Sequence, residues 1–503
     1  MSSRPNLILI STDQQRYDSI AANGSEFLRT PNLDRLANEG VTFRRAYCPN
    51  TVCTPSRVSM MTGLHLSRHG SYNIGTVASD PSLFLSSLLR ESGYRTHHVG
   101  KAHWYPWESP SPETLGPERS REPFRDFAGF ETAELSRGHG PWAATSGHYG
   151  AWLEAQGLDP ADIRVEFLFK GQGDYNGTGD SALPERYHQG AWVAERAIHW
   201  MERRADGEGD DRPFFLNLGF QDPHHPHILP SDFLDRVDPE LVPPPAARAD
   251  READEAEHVP LFRNGTLIES RFNGTFEMAG NGKYAWGPYF EREEFSKQTR
   301  AYYYSMVQLI DRQVGRILDA LDAFGLARNT FVVFTSDHGE MLGDHGIGQK
   351  GPLVYEGVTR IPLLMRYPDG FEPQAPAEPC ASLVDVLPTL ADAAGIADPI
   401  RREGVSLLPM LRGEGPPKRT GVRIEYKEEP DRIRFKCWVT PEWKLAVYTG
   451  ESFGELYDVK NDPGERRNLY ALPEYDSIKQ RLLLELLADL ERGEPTNPRP
   501  SRV

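Results

Sequence analysis

Cys53 stands in the run Cys53-Thr54-Pro55-Ser56-Arg57, followed by Val58-Ser59-Met60-Met61-Thr62-Gly63. Proline in a first turn with serine beside it reads as a helix start. The Cys53 side chain then sits just ahead of that helix, at the positive end of its dipole, which favours anions. Arg57, one turn along, offers a planar donor matched to sulfate- or phosphate-like oxygens. Two carboxylates (Asp13, Asp337), an amide oxygen (Gln14) and an imidazole (His338) form a second set. Mostly oxygen donors with one nitrogen suit a hard divalent ion: Ca²⁺ first, with Mg²⁺ and Mn²⁺ open. Lys101, His103, His224 and Lys350 form a third set, of cations and proton carriers. Each cation about 4 Å from an anion contributes roughly 4 kcal/mol at an effective dielectric near 20. Histidine also exchanges protons near neutral pH. Taken singly, each residue has a commoner structural use: a buried cysteine, a turn aspartate, a solvated lysine or histidine.

The predicted elements bring these residues together. Residues 7–10 form an apolar run, as in a strand buried on both faces, and lead into Asp13 and Gln14. A helix with a threonine cap is expected over 30–39, a strand over 41–46, and a helix after Cys53. A helix over 81–92 is closed by Gly93, and a strand over 94–99 delivers Gly100-Lys101-Ala102-His103. A helix over 191–204 precedes a strand over 213–219, which runs into Asp222-Pro223-His224-His225-Pro226. The longest helical pattern covers 298–324, and the strand at 330–335 delivers Ser336-Asp337-His338-Gly339-Glu340. Lys350 follows in a glycine-rich loop, then a strand over 361–365 and a helix over 383–394. Alternating strands and helices imply an α/β fold: a large mixed, mainly parallel sheet flanked by helices. Ligands in such sheets bind beyond the carboxyl ends of the strands, where Asp13, Gln14, Lys101, His103, His224, Asp337 and His338 fall.

Two stretches, 104–182 and 230–297, lack clear periodicity and read as irregular insertions over the site. Asn73, Tyr105, Trp107 and Trp142 are candidates to line a substrate pocket there, although single aromatics more often pack. The acidic run Asp250-Arg251-Glu252-Ala253-Asp254-Glu255-Ala256-Glu257 reads as solvated surface. Past Gly413 the texture changes. Exposed antiparallel strands over 422–426 and 443–448 and a helix over 476–492 suggest a small α+β subdomain, 414–503, on a catalytic domain, 1–413.

The 503 residues support a sizeable core at 38% hydrophobic content, and the net charge of −17 argues against nucleic acid or an anionic membrane as partner. Four cysteines make no disulfide scaffold. With neither a signal-peptide pattern nor a spanning segment at hand, a cytoplasmic enzyme is the simplest expectation. A homo-oligomer is left open.

Cys53-Thr54-Pro55-Ser56-Arg57 resembles the C-x-P-S-R signature of the type I sulfatases of the alkaline-phosphatase-like superfamily. The likeness extends over nearly the whole chain. Asp13-Gln14 is similar to the family's first metal pair, Gly100-Lys101-Ala102-His103 to its G-K-x-H segment, and Pro223-His224-His225-Pro226 to its P-H-x-P segment. Ser336-Asp337-His338-Gly339 resembles its S-D-H-G segment, with Lys350 as the lysine that follows. Glu455-Leu456-Tyr457-Asp458 and Asn461-Asp462-Pro463-Gly464-Glu465 resemble its C-terminal ending. The resemblance implies that Cys53 is oxidised to formylglycine by a formylglycine-generating enzyme, and that one divalent ion is held by Asp13, Gln14, Asp337, His338 and position 53. It implies attack on a small-molecule sulfate ester by the aldehyde hydrate, with Asp337 a plausible proton acceptor. Arg57, Lys101 and Lys350 would stabilise the oxygens, and His224 or Lys350 would protonate the leaving alcohol. His103 would take the proton whose loss expels sulfate. Two alternatives stand beside this reading. One is a phosphonate monoester or phosphodiester hydrolase with the same nucleophile, suggested by the Asp-Gln pair and His338. The other is an inactive sulfatase-like binding protein.

Overall fold

The computed structural model describes residues 4–78, 80–106, 111–114, 120–140, 143, 146–169, 177–205, 211–247, 255–266, 289–427 and 433–494. Its main sheet has eight strands: β1 (Asn6–Thr12), β2 (Val41–Thr42), β3 (Arg95–Gly100), β4 (Phe124–Phe127), β5 (Phe130–Leu135), β6 (Phe214–Gly219), β7 (Thr330–Ser336) and β8 (Leu363–Arg366). They lie in the order β2-β8-β7-β1-β6-β3-β5-β4. The inner run β7-β1-β6-β3-β5 is parallel. β8, β2 and β4 pair antiparallel at the margins.

The period-two rule divides the sheet's side chains between two cores. Leu7, Leu9, Phe215, Phe331 and Val333 face a core that includes Val58, Met60 and Met61 of helix α1 (Cys53–Thr62). Ile8, Ile10, Leu216, Leu218 and Phe334 face the other. That second face is covered by helices α2 (Gln189–Ala205) and α3 (Glu293–Ala323), through Trp192, Val193, Ile310, Val314 and Ile317. Each such side chain contributes roughly 1.5–3 kcal/mol by leaving water. The strands are therefore clamped on both faces, and the ends that carry polar residues are held rigidly side by side.

Several local expectations are corrected. The helix at Pro31–Asn38 follows Thr30 as expected, but Thr30 makes no capping bond. Asp311 of α3 caps it instead, accepting from Asn32 N at 3.1 Å and Leu33 N at 2.7 Å. The expected strand over 41–46 is two short strands, Val41–Thr42 and Ala46–Tyr47, paired in different sheets. The helix over 81–92 is broken at Phe84, whose ψ of 147° is extended, into Pro81–Leu83 and Leu85–Glu91. The first insertion is more ordered than its sequence suggests, because β4 and β5 extend the main sheet and Gly147–Ala155 is helical. The strand expected over 361–365 runs antiparallel, and the longest helix starts at Glu293.

The C-terminal strands, β9 (Val422–Lys427), β10 (Arg434–Val439), β11 (Lys444–Tyr448) and β12 (Gly454–Tyr457), form an antiparallel sheet in sequential order. The strands at 422–427 and 444–448 were expected to be exposed; they and the two not foreseen, 434–439 and 454–457, are mostly buried. One face (Val422, Ile424, Cys437, Ala446) joins a core with Val52, Met341 and Tyr355. The other (Trp438, Leu445, Leu456) packs on Leu482 and Leu486 of helix α4 (Asp476–Gly493). Trp107, Trp142 and residues 250–254 of the acidic run lie outside the described residues. No helix among the described residues is long and apolar enough to cross a membrane.

Candidate active site

β7, β1, β6 and β3 are adjacent, so the residues that follow them converge at one edge. Cys53 opens α1, with Val52 as the cap residue, and is 1% exposed. Asn50 fixes that start: its Oδ1 accepts from Val52 N at 2.7 Å and its Nδ2 donates to Glu425 O at 2.7 Å. Cys53 Sγ lies 3.7 Å from Asp13 Oδ1, 3.2 Å from His338 Nε2 and 2.9 Å from Lys350 Nζ. Potential ligand atoms of Asp13, Cys53, Asp337 and His338 all fall within 4.8 Å of one another.

Each of these groups is oriented by the protein. His338 Nδ1 lies 2.8 Å from Gly339 O, which leaves Nε2 facing Cys53. Asp337 Oδ1 accepts from Gln14 N at 3.0 Å and His338 N at 2.9 Å. Gln14 adopts a φ of 69°. Its Nε2 donates to Glu340, so its Oε1 turns to Lys350 Nζ at 2.7 Å, beside position 53. Tyr303 of α3 buttresses this turn, donating to Gln14 O and accepting from Arg16 N, both at 2.8 Å. Oxygens from Asp13, Asp337 and Gln14 with one imidazole nitrogen are the chemistry a divalent ion requires.

Arg57 differs from expectation. Its Nε donates to Asp337 Oδ2 at 2.7 Å, and its Nη atoms reach Lys101 O and Thr12 O at 3.4 and 3.3 Å. At 1% exposure it stitches three strand ends together rather than offering a free donor to an anion. Lys101 follows the close approach of β3 to β6. A Cβ on Gly100 would strike Gly219 O, and Lys101 N donates to that same oxygen at 2.8 Å. Its ammonium pairs with Asp13 Oδ2 and lies 2.9 Å from His139 Nε2.

His139 is one of two residues here that sequence reasoning missed. Its Nε2 is 3.2 Å from Asp13 Oδ2, and its ring stacks on His224 at 3.7 Å and 9°. His224 stacks in turn on His225 at 3.9 Å. Atoms of Asp13, His139 and His224 fall within 4.8 Å of one another. Arg137-Gly138-His139-Gly140 carries no spacing signal; only the two glycines around a histidine hint at a special loop. His103 takes a φ of 56° and is buried close enough to Asp13 and Lys101 to feel their charge. Glu340, which orients the Gln14 amide, was also passed over.

The two weaker pocket candidates fall elsewhere. Tyr105 is in the apolar core, edge-on to Phe127, with its N donating to Glu113, so it packs rather than lines a cleft. Asn73 shapes a surface turn, its Oδ1 accepting from Ile74 N at 2.7 Å.

Burial sets the protonation of the cluster. It pushes His338 and His139 down to about 4, and His103, His224 and His225 well below the usual imidazole range, with Lys101 or neighbouring histidines adding to the effect on the last three and His139. Burial would raise Asp13, but Lys101, His224, His139 and Lys350 together hold it well below the carboxylate range. Burial opposes the charge on Lys350, yet Cys53, Asp13 and Asp337 raise it above the ordinary lysine value. At neutral pH the centre thus holds a charged Lys350, an ionised Asp13 and neutral imidazoles.

A description of the sulfatase family matches residues 5–396. The chain belongs to the sulfatase family. Residues 343–492 of this sulfatase also match a domain described as N-sulphoglucosamine sulphohydrolase, C-terminal. It is 28% identical to an arylsulfatase of Clostridium perfringens over 98% of this chain and 95% of that one. It is 30% identical to the multifunctional alkaline phosphatase superfamily protein PehA of Trinickia caryophylli, over 95% and 93%. Among solved structures it resembles the phosphonate monoester hydrolase of Agrobacterium radiobacter, with a TM-score of 0.77 and 27% identity over 98% and 96% of the two chains. The sulfatase is an enzyme with an alkaline-phosphatase-like α/β fold.

Proposed function

We propose that this sulfatase hydrolyses a small-molecule sulfate monoester at position 53, after a maturation enzyme has oxidised Cys53 to formylglycine. The observation that carries this is the convergence of Asp13, Gln14, Asp337, His338 and Lys350 on Cys53, with Lys101 and His224 against the far side of Asp13. Asp13, Gln14, Asp337 and His338 would hold one divalent ion, with Ca²⁺ favoured by three oxygen donors. When bound, the ion acts as a Lewis acid that draws charge from the ester oxygens.

The chain's own groups supply the rest. Lys101 lies against Asp13 and Lys350 against Cys53 and Gln14, so the two ammonium groups would flank the ester's anion in a buried site. Arg57 holds Asp337 in place from beneath. Lys350 keeps its proton and sits beside position 53, so Nζ is the donor to the leaving alcohol. His224 is neutral in the resting centre and hydrogen-bonds substrate oxygen rather than serving as the acid. His103, also neutral, is a base able to accept the proton released as sulfate departs. Residues 1–413 would be the catalytic unit, and 414–503 a small subdomain that braces the start of α1 through Glu425.

The Asp13-Gln14 pair, His338 and the likeness to a phosphonate monoester hydrolase support a second reading, in which a phosphonate monoester or phosphodiester is cleaved. The presence of both Lys101 and His103 favours sulfate. Comparing kcat/KM for 4-nitrophenyl sulfate with that for a 4-nitrophenyl phosphonate ester decides between them. The sulfate reading expects the first to be larger by about tenfold or more, some 1.4 kcal/mol in barrier height, and fails if the phosphonate is preferred.

A further inference from the structure

Gln14 differs from Asp13 and Asp337 in one respect: only one end of its side chain can serve a cation. Either oxygen of a carboxylate will do, but an amide offers a lone pair at its oxygen and only protons at its NH₂. Whatever holds the Gln14 amide one way round therefore decides whether its oxygen faces the ion.

Two neighbours fix it from opposite ends. Gln14 Nε2 donates to Glu340 Oε2, and Gln14 Oε1 lies 2.7 Å from Lys350 Nζ. A carboxylate oxygen accepts and an ammonium only donates, so both ends demand the same orientation. Glu340 is itself firmly set. It is fully buried, its N donates to Gly357 O at 2.9 Å, and its O accepts from Arg16 Nη1 at 2.7 Å. Its second carboxylate oxygen, Oε1, accepts from Leu342 N at 3.0 Å. Gln14 is constrained as well, by its φ of 69° and by the Tyr303 hydroxyl on its carbonyl. A change at Glu340 therefore acts by turning the Gln14 amide over rather than by moving the chain.

We infer that Glu340 is a positioning residue for the ion, selecting the oxygen of Gln14 over its nitrogen. Glu340 is not among the groups that cluster with Cys53 and His338, so it acts through Gln14. Its role rests on the ion site proposed above. Glu340→Gln should reverse the arrangement. Leu342 N still needs an acceptor, so the introduced amide gives its oxygen to Leu342 and its NH₂ to Gln14. Gln14 then answers with its own oxygen, and its NH₂ is left facing the ion site and Lys350.

The Ca²⁺ affinity of the chelator-stripped full chain, read by competition with a fluorescent chelator, tests this without turnover. Glu340→Gln should weaken Ca²⁺ binding by about 10–100-fold with an unchanged circular dichroism spectrum. Gln14→Glu has an oxygen at both ends but sets two carboxylates against each other, so alone it should bind Ca²⁺ no tighter than the unaltered protein. Combined with Glu340→Gln, whose NH₂ can donate to one of those oxygens, it should bind about tenfold or more tighter than Glu340→Gln alone. That non-additivity is the signature of one residue acting through the other. Undiminished affinity in Glu340→Gln, or additive effects of the two substitutions, overturns the role. If Glu340→Gln does not fold, Gln14→Glu decides: a gain of about tenfold or more in the native background overturns it, and the absence of a gain supports it. Asp13→Asn separates this role from the ion site. Affinity lost there but kept in Glu340→Gln sinks only the role of Glu340, whereas affinity kept in both sinks the ion site too.

Discussion

Lys350 Nζ stands 2.9 Å from Cys53 Sγ, and the same ammonium lies 2.7 Å from Gln14 Oε1. One lysine therefore touches both the position proposed to react and a group proposed to hold the ion. Lys350→Met, which keeps the length and removes the charge, should lower kcat by roughly 10²–10³-fold, the usual loss for one preorganised donor. KM should change much less. Steady-state kinetics on 4-nitrophenyl sulfate measures both; a change confined to KM would assign Lys350 to binding alone.

Cys53→Ala should remove turnover, by roughly 10³-fold or more, with little change in melting temperature, because alanine fits the first turn of α1. The active protein should yield a tryptic peptide ending at Arg57 that is lighter by the difference between a CH₂SH and a CHO group. Turnover by protein whose peptide carries only the thiol would refute the formylglycine reading.

Asp13 is ionised, fully buried and shared by both ends of the cluster. Asp13→Asn keeps its shape and removes its charge. Metal retained after gel filtration, measured by elemental analysis, should drop at least to the extent of a roughly 10–100-fold loss in affinity. Metal content equal to that of the unaltered enzyme would show that the ion sits elsewhere.

His139 lies against Lys101 and His224 without being part of any recognised motif. His139→Ala should cut kcat by about tenfold while the melting temperature stays put, since the ring is on a loop outside both sheet cores. His139→Asn, which can still accept from Lys101, should recover part of the loss. Equal defects in the two variants would mean that stacking on His224, not the contact with Lys101, is what matters.

Glu134 at the end of β5 gives a test that does not involve the reaction. Burial raises its pKa, but His97, with Nε2 at 3.5 Å, and Arg196, with Nε at 2.8 Å, outweigh this and bring it down to about 2. A carboxyl depressed in the folded state adds stability above its unfolded value near 4.5, and that stability is lost as pH falls toward 2. Glu134→Gln should therefore cost about 2–3 kcal/mol at pH 7, and the gap to the unaltered enzyme should close below pH 4. Urea melts at several pH values measure it; a gap that widens in acid would reverse the assignment.

Much of the centre was legible because buried parallel strands announce themselves as apolar runs, and whatever follows such a run must sit at the sheet's edge. That places Asp13, Lys101, His224 and Asp337 correctly without any coordinates. Arg57 was legible as a site residue but not in its bonding: a sequence shows the guanidinium, not the two backbone oxygens and the carboxylate that engage it. His139 was hidden because a loop has no period. Tyr105 was misread for the converse reason, since a pocket aromatic and a core aromatic look alike until Phe127 is seen beside it. The C-terminal strands carry charged residues such as Arg423 and Glu425, which suggest exposure. In the fold these residues pair with each other and with Glu403 while their neighbours enter two cores.

A thiol that leaves only 1% of its residue open to solvent has a consequence for how the enzyme is made. Any catalyst that must grip residues on both sides of Cys53 needs them extended, whereas here they are wound into a helix whose ten residues are all enclosed. On the formylglycine reading proposed above, the oxidation would belong to the nascent chain, before α1 docks. A host unable to perform it in time would accumulate well-folded protein that later exposure to the same machinery could not rescue.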